Sequence, residues 1–387
     1  MKLGGTMKTK RLAALVLAGA LMISALTGCG VNANDTIATL GDQTVSAGLA
    51  NFMVKYQKAA YDDVYVSYYG EKVWDQDFYG SGTTLGDNLK QTVMVTIHEL
   101  YTLKAHMEEK KVTLTDDEKK AISEAAAAFM KANSEEAIKE LGATTELVEE
   151  MLTLYTIQNK MYEAIIVDTD RNVKDEDANM RAYSLITIST EGYYDSKNQF
   201  VKYTEKEKLT ITDTIAKFDE ALDKEGADFT KLAKEYKYEV KTGTYAKDNT
   251  SIDKDLKKAM DALKEGEVSA AIKTEKTTYF VKIDKETDKE ATEKNKEAII
   301  EKREGELYAK VVGDWQKNDG WTVDQKVLKK IDLHHIMTQK DPNAPKDTQK
   351  DTQKNTEKDT EKGTESTGTE TESTESGATE TEDGTDK

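Results

Sequence analysis

The chain has 387 residues, with 55 lysines and arginines against 73 aspartates and glutamates, which gives a formal net charge of −18. This length leaves room for two or three domains. Two prolines and one cysteine exclude collagen-like, proline-rich and disulfide-stapled classes. The acidic balance repels phosphate backbones, so nucleic acid is not an expected partner and basic or neutral partners are favoured.

The first 28 residues have the pattern of a secretory signal. Basic residues precede an apolar run at positions 12–26, which is too short to span a bilayer comfortably. Leu26, Thr27, Gly28 and Cys29 then resemble the lipobox of bacterial lipoproteins. The resemblance implies lipidation of Cys29 and a lipid-anchored position on the extracytoplasmic face of the cell membrane. An ordinary signal with a chance cysteine is the alternative, and the sequence does not distinguish Met1 from Met7 as the start.

Helical periodicity dominates residues 29–176. A short hairpin is predicted at positions 36–44, followed by a helix from about Ser46. Apolar residues at three- and four-residue spacing predict further amphipathic helices from Asn88 and from Thr144. Thr115 and Glu118 have the spacing of a capping box, which predicts a helix through Met130. This region is expected to form a mainly helical lobe.

Residues 177–287 have a mixed pattern. Strands are predicted at positions 181–189 and 277–283, and helices at 209–236, broken at Gly226, and at 256–263. Residues 238–253 are polar and predict a turn-rich loop around Gly243. This order of elements indicates an α+β unit.

Residues 288–338 predict a charged helix and a returning strand. The tail of the chain differs from them in composition. Positions 339–387 consist almost entirely of Lys, Asp, Glu, Thr, Gln, Ser and Gly. A segment of this composition buries too little apolar surface to fold, so we expect a disordered acidic tail. A solvated extension is favoured over a wall-binding segment.

Several strings carry a resemblance to a known family. They are VTLTDDE at 112–118, ADFTKLAKEY at 227–236, LKEGEVS at 263–269 and WQKNDGWTVDQKVLKKI at 315–331. Together they resemble PrsA/SurA-type foldases over residues 37–331. The resemblance implies an α+β fold in which a discontinuous helical chaperone lobe, residues 29–176 and 288–338, holds an inserted parvulin-like prolyl isomerase domain, residues 177–287.

The resemblance also assigns site residues by position. Ser184 and Tyr279 stand where parvulins usually carry histidine, and Tyr245, Ile252 and Leu256 fall in the proline pocket. Because both histidines are replaced, isomerase activity is expected to be weak. Tyr245 and Tyr279 are candidate aromatic walls of the pocket, with plain core packing of the two rings as the alternative. Rotation about an X-Pro bond needs no nucleophile, so an active isomerase with a non-histidine pocket stays open.

An aromatic cluster is the second candidate site. Its members are Tyr61, Tyr65, Tyr68, Tyr69, Trp74 and Tyr79. Aromatic rings with polar tips suit adaptable binding of unfolded exported polypeptides, although local packing explains such a cluster as well.

Other functional classes have less support in the sequence. The four histidines lack the spacing of a metal site, and no phosphate loop or hydrolase motif occurs, so neither a metal nor a cofactor is expected. A solute-binding or structural surface lipoprotein is the rival class. The repeated βαβ units typical of solute-binding proteins are absent from the predicted elements.

Overall fold

The structure is a computed structural model that describes residues 21–22 and 31–339. The predicted lipidation site at Cys29, the tail from 340 and all but two residues of the predicted signal lie outside these ranges. Within them, helices dominate the two ends and strands the middle. The α+β class predicted from the sequence is confirmed.

The N-terminal part begins with a hairpin and continues as helices. Strands β2 (Thr36–Leu40) and β3 (Gln43–Ser46) pair antiparallel across a turn in which Gly41 has φ 53°. Ser46 caps the next helix by accepting a hydrogen bond from the N–H of Leu49 at 3.1 Å. The helices that follow are α1 (Ala47–Tyr69), α2 (Leu85–Ala105), α3 (Asp116–Ala132), α4 (Glu135–Leu141) and α5 (Thr145–Ile166), with a 3-10 turn at Val73–Asp75.

The predicted helices are confirmed, and the short helix α4 was not predicted. The capping box of α3 is complete, because Glu118 N–H donates to the Thr115 hydroxyl and the Glu118 carboxylate accepts from Thr115 N–H. The apolar faces of α1 to α5 meet in one core. Its fully buried side chains include Phe52, Ile97, Leu100 and Leu141.

The end of the chain returns to this N-terminal part. Helix α10 (Lys289–Gln316) leads to strand β10 (Thr322–Val323), which pairs with β2 and completes a three-stranded sheet. Helix α11 (Gln325–Lys329) buries Val327 and Leu328 in the core of the first helices. The helical lobe is therefore discontinuous in sequence, as predicted. At its margin β1 (Leu21–Met22) pairs with β11 (Thr338–Gln339).

The middle of the chain forms an antiparallel sheet with helices on both faces. Its strands are β4 (Met180–Ser189), β7 (Val240–Ala246), β8 (Ile272–Lys273) and β9 (Thr277–Lys285), in the order β7-β4-β9-β8. A separate hairpin consists of β5 (Gly192–Tyr194) and β6 (Phe200–Lys202). The helices are α6 (Asp175–Ala178), α7 (Glu205–Leu222), α8 (Phe229–Glu235) and α9 (Lys254–Ala262).

Four strands of this domain, β5 to β8, differ from the sequence prediction, which contained only β4 and β9. The hairpin β5–β6 was not predicted, and the segment interpreted as a turn-rich loop contains strand β7. β7 pairs with β4 over seven positions, with Tyr183 opposite Gly243. A Cβ atom at Gly243 would stand 2.7 Å from the Tyr183 hydroxyl, so only glycine lets this ring cross the strand. Val240, Thr242, Thr244 and Tyr245 are residue types that favour strands, but Gly243 interrupts them, and pairing with β4 fixes the segment as a strand.

Candidate functional site

The two faces of the middle sheet have separate apolar cores. On the first face, Ile186, Ile188 and Phe280 pack against Phe218 of α7 and Phe229 of α8. On the second, residues of β4, β7 and β9 pack against α9. We call the first the α7 face and the second the α9 face. Successive side chains of a strand point to opposite faces, so residues an even number of positions apart lie on the same face.

The predicted proline-pocket residues lie together on the α9 face. Tyr245, Ile252 and Leu256 share one cluster with Met260, Val281 and Ile283. Tyr245 is only 1% exposed and Leu256 only 5%. Neither presents surface to an incoming proline ring, and Ile252 is the only one of the three that is partly exposed.

The hydroxyl group of Tyr245 is held in a polar network. It accepts a hydrogen bond from Arg181 Nη1 at 3.0 Å and donates to Asp261 Oδ1 at 3.3 Å. Arg181 also donates to the carbonyls of Met260 and Leu263, which ties β4 to the end of α9. Burial raises the pKa of Tyr245. The phenol therefore stays neutral at physiological pH and acts as a fixed bridge rather than as an acid or base.

The structure does not bring Ser184 and Tyr279 together. Ser184 lies two residues before Ile186 and therefore points to the α7 face. Its hydroxyl donates to Asp284 Oδ2 there at 2.6 Å. Tyr279 lies two residues before Val281 and therefore on the α9 face. Ser184 and Tyr279 therefore do not line one pocket, because a one-residue offset on a strand reverses the face.

Tyr183 is one of the β4 residues that face the predicted pocket, together with Arg181 and Leu185, and sequence reasoning missed it. Its ring meets the Tyr245 ring edge-on, with centroids 5.9 Å apart. Tyr279 is partly buried against the same cluster. The α9 face is thus lined by tyrosines instead of histidines, and the register of β4 is the information that the sequence lacked.

The second candidate site is an exposed aromatic surface on the helical lobe. Tyr61 and Tyr65 stack with centroids 5.5 Å apart, and Tyr69 and Phe78 meet edge-on at 5.0 Å. Tyr65 also contacts Tyr69 at 6.4 Å, which joins the two pairs. We call this surface the aromatic patch, and its residues are Tyr61, Tyr65, Tyr68, Tyr69, Phe78 and Tyr79. Phe78 was missed, although it adjoins Tyr79 in the sequence.

Trp74 is not part of the exposed surface, which corrects its prediction as a binding residue. It is 5% exposed and belongs to the lobe core. Its indole N–H donates to Asp62 Oδ1 at 2.7 Å, so the ring is oriented from inside. The ring centroids of Tyr65 and Trp74 are 5.7 Å apart, and Tyr65 is partly buried. The patch is therefore packed on the core of the lobe.

Acidic residues accompany the aromatic patch. Residues 61–79 carry four exposed acidic residues, Asp63, Glu71, Asp75 and Asp77, against the single basic residue Lys72, whereas Asp62 is buried. Asp77 accepts hydrogen bonds from the backbone N–H groups of Tyr79, Ser81 and Gly82. These bonds lower the pKa of Asp77 and keep a negative charge next to Phe78 and Tyr79.

Residues 21–22 and 31–339 offer neither a membrane-crossing helix nor a metal-binding cluster. No helix there combines the length and apolar character needed to cross a membrane. Nor do three or more histidine, cysteine, aspartate or glutamate side chains gather there in a way that could hold a metal ion.

The middle domain is similar to a known protein family. Residues 190–298 match the family model of the PPIC-type PPIase domain. The match confirms the parvulin-type resemblance predicted for this part of the chain. None of the four histidines lies within the matched residues of the parvulin-type domain.

Solved structures of foldases and related chaperones are among those similar to the chain. The foldase PrsA of Lactococcus lactis is 14% identical with a TM-score of 0.32, and the alignment covers 77% of this chain and 100% of that one. PrsA of Streptococcus pneumoniae is 16% identical, with a TM-score of 0.27 and coverages of 66% and 97%. A SurA-like chaperone of Campylobacter jejuni is 10% identical, with a TM-score of 0.27 and coverages of 76% and 100%. No curated protein matches the sequence significantly.

Proposed function

We propose that the protein is an extracytoplasmic chaperone of the foldase type that binds unfolded segments of exported polypeptides. The exposed aromatic patch of the helical lobe is the observation that carries this proposal. Tyr68 and Tyr79 are 78% and 79% exposed, and the patch rests on the buried Trp74. Contiguous exposed aromatic surface is uncommon on soluble proteins and is typical of interaction sites.

The physical chemistry of the patch suits unfolded ligands. Tyrosine rings bury a large apolar area with few rotatable bonds, and their hydroxyl groups remain hydrated at the rim. Such a surface accepts many apolar sequences without a shaped pocket. The acidic residues beside it favour segments that carry lysine or arginine next to the apolar residues.

The parvulin-type domain supports the same functional class. A family match to prolyl isomerases suits a protein that meets unfolded chains, in which X-Pro bonds populate both isomers. We propose that its own isomerase activity is weak, because Tyr245 and Leu256 are buried where the pocket is expected. Chaperone binding in the lobe and isomerisation in the domain are then separate activities.

Suppression of aggregation tests the chaperone proposal. The full chain is added while a chemically unfolded client is diluted, and light scattering is followed for the parent protein and for the double variant Tyr68→Ser/Tyr79→Ser. We expect the double variant to need at least about fivefold more protein for the same suppression, because two rings of the binding surface are removed. Both rings are largely solvent-exposed, so the fold should be retained. Val95→Ser, an exposed apolar residue of α2, is the control. Equal suppression by all three proteins at equal melting temperature would refute the role of the patch.

Membrane anchoring is proposed from the lipobox at Cys29. A diacylglyceryl group contributes about 0.8 kcal/mol per buried methylene, which retains a protein at the membrane. Cys29→Ala should therefore move the protein from the membrane fraction to the medium. Retention of Cys29→Ala in the membrane fraction would leave an ordinary secretory signal or another means of attachment.

A further inference from the structure

Strand β4 is longer than its neighbour β7 at one end. The ladder between them ends at Ile186 and Val240, whereas β4 remains paired with β9 as far as Ser189 opposite Thr277. Before β7, the chain bends away at Lys237, which has φ 60°, and Tyr238 N–H donates to Ala233 O of α8. Residues 187–189 of β4 therefore extend past the end of β7.

The direction of the peptide groups at this step follows from the antiparallel pattern. Thr190 N–H donates to Lys276 O at 2.9 Å, on the side of β9. Successive residues of a strand direct their N–H and C=O groups to opposite sides, so those of Thr187 and Ser189 are directed to the side of β7. The last rung of the ladder, Ile186 opposite Val240, uses the Thr187 N–H, and the Thr187 C=O and the peptide groups of Ser189 lie beyond it. The end of β4 thus forms a short open strand edge.

A cleft of about 330 Å³ lies at this step of the sheet. Three strand residues, two residues of α7, Tyr203 and the turn before β7 surround it. Its lining consists of Thr187, Ile188, Ser189, Tyr203, Ile211, Thr214, Lys237, Tyr238 and Glu239. Ile188 and Ile211 belong to the core of the α7 face, so the cleft is separate from the predicted proline pocket on the α9 face.

The β5–β6 hairpin continues the apolar surface of the cleft. The rings of Tyr203 and Tyr193 have centroids 5.7 Å apart, and Tyr194 meets Phe200 at 5.3 Å. Tyr193, Tyr194 and Phe200 are all exposed. An extended ligand leaving the cleft over Tyr203 would therefore meet further aromatic surface.

The charges at the rim indicate which sequences fit. Lys237 and Glu239 line the cleft, are exposed and stand two residues apart. In an extended ligand, side chains two positions apart lie on the same side, so one acidic and one basic residue at that spacing would complement both charges. A strongly acidic or strongly basic segment would meet one like charge.

We propose that this cleft binds an extended, near-neutral segment of an unfolded polypeptide by addition of a strand to the open edge of β4. Main-chain hydrogen bonds to the Thr187 C=O and to both peptide groups of Ser189 would hold the segment, and the cleft would take an apolar side chain against Ile211 and Tyr203. The inference rests on the proposed function only for the class of ligand. It assigns the parvulin-type domain a second peptide site on the face opposite the predicted proline pocket.

A pair of threonines in α7 provides the test. Thr214 lines the cleft and Thr212 does not, and the hydroxyl of each donates to the carbonyl four residues earlier. The ligand is a labelled ten-residue peptide that alternates valine or phenylalanine with threonine and carries one glutamate and one lysine two positions apart. Its affinity for the full chain is measured by fluorescence anisotropy.

We expect Thr214→Phe to weaken peptide binding at least about tenfold, because the ring fills the cleft, while Thr212→Phe leaves it unchanged. With the unmodified protein, a peptide that is N-methylated at alternate residues should lose affinity by a similar factor, since it cannot form the ladder. This second measurement needs no folded variant. Unchanged binding of the N-methylated peptide would overturn strand addition, and equal binding by the two threonine variants would overturn the cleft as the site.

The aromatic-patch variant separates this proposal from the proposed function. If Tyr68→Ser/Tyr79→Ser abolishes peptide binding and Thr214→Phe does not, the cleft is refuted and the lobe remains the binding site. If Thr214→Phe weakens peptide binding while the patch variant suppresses aggregation normally, the cleft is supported and the role of the patch fails.

Discussion

Asp62 is the residue on which the buried polar structure of the helical lobe depends. Its carboxylate accepts hydrogen bonds from Lys58 Nζ at 2.6 Å, from Trp74 Nε1 at 2.7 Å and from Met337 N–H at 3.0 Å. Lys58 also donates to His335 O at 2.8 Å. Burial lowers the pKa of Lys58, and the charge of Asp62 opposes that effect. One ion pair thus ties α1 to the 3-10 turn and to the returning end of the chain.

Removing one partner of this pair should destabilise the lobe strongly. Asp62→Asn leaves the buried ammonium of Lys58 without a counter-charge, and we expect a loss of about 3–5 kcal/mol in the free energy of unfolding, measured with urea. Lys58→Met/Asp62→Leu should recover most of the loss, because no charge then remains buried.

The exposed pair Glu290 and Lys294 is the matched control for this prediction. It has the same i,i+4 spacing with a distance of 2.7 Å, but both side chains lie in solvent. Glu290→Gln should leave the free energy of unfolding nearly unchanged, because solvent screens the exposed pair. Equal effects of Asp62→Asn and Glu290→Gln would show that burial does not govern the Lys58–Asp62 pair.

Helix α7 shows how a local sequence signal acts at the scale of an element. Thr204 accepts a hydrogen bond from Glu207 N–H at 3.3 Å, and the Glu207 carboxylate accepts from Thr204 N–H at 2.7 Å. The bond from Thr204 lowers the pKa of Glu207. This contribution to stability is therefore complete above the ordinary glutamate pKa and is lost as the pH falls through the lower pKa of the folded state.

Loss of the cap should be measurable against a control in the same helix. Thr204→Ala removes the N-cap acceptor, and we expect a loss of about 1 kcal/mol in unfolding free energy at pH 7. Thr212→Ala lies in the middle of α7 and should be neutral or slightly stabilising, because alanine has the higher helix propensity. The Thr204 hydroxyl also donates to the Glu207 carboxylate at 2.7 Å, a bond that needs the ionised carboxylate, so the difference between the two variants should shrink as the pH falls below the ordinary glutamate pKa. A constant difference across that range would mean that Glu207 adds nothing to the cap.

At the scale of the whole molecule, the discontinuous lobe and the parvulin-type domain have separate tasks in our proposal. Uncatalysed X-Pro isomerisation takes tens to hundreds of seconds, so even a modest catalyst is detectable. We expect the full chain to accelerate a proline-containing peptide less than about twofold at micromolar concentration, since Tyr245 and Leu256 are buried. The measurement is a protease-coupled or refolding assay, with aggregation suppression followed on the same sample.

Tyr279→Ala distinguishes the alternatives for this domain. With a closed α9 face, the variant should reduce stability while leaving the small acceleration unchanged, because Tyr279 packs against the cluster. A large acceleration by the parent protein that Tyr279→Ala abolishes would instead establish an active isomerase with a tyrosine-lined pocket. Suppression of aggregation that persists in either case would keep the two activities separate.

The sequence by itself determined the helices and the long strands. Apolar spacing places α2 and α5, and Thr115 with Glu118 marks the start of α3, because these signals depend only on residues within one or two turns. The strings at 227–236 and 263–269 predicted the parvulin-type domain, because each is a short continuous stretch that can be recognised without the tertiary structure. The tyrosine-rich end of α1 was equally visible as a candidate binding surface.

Only the tertiary structure decided which of these residues are exposed and which face each other. Trp74 is buried next to Asp62, which also accepts a hydrogen bond from Met337 N–H. Met337 lies 275 residues after Asp62, so this contact depends on the returning end of the chain. Ser184 and Tyr279 lie on opposite faces because the register between β4 and β9 sets their parity, and a one-residue difference reverses it. Strand β7 and the open edge beside it exist only through pairing with β4. Burial and register arise from contacts between distant segments, and a local pattern carries no information about them.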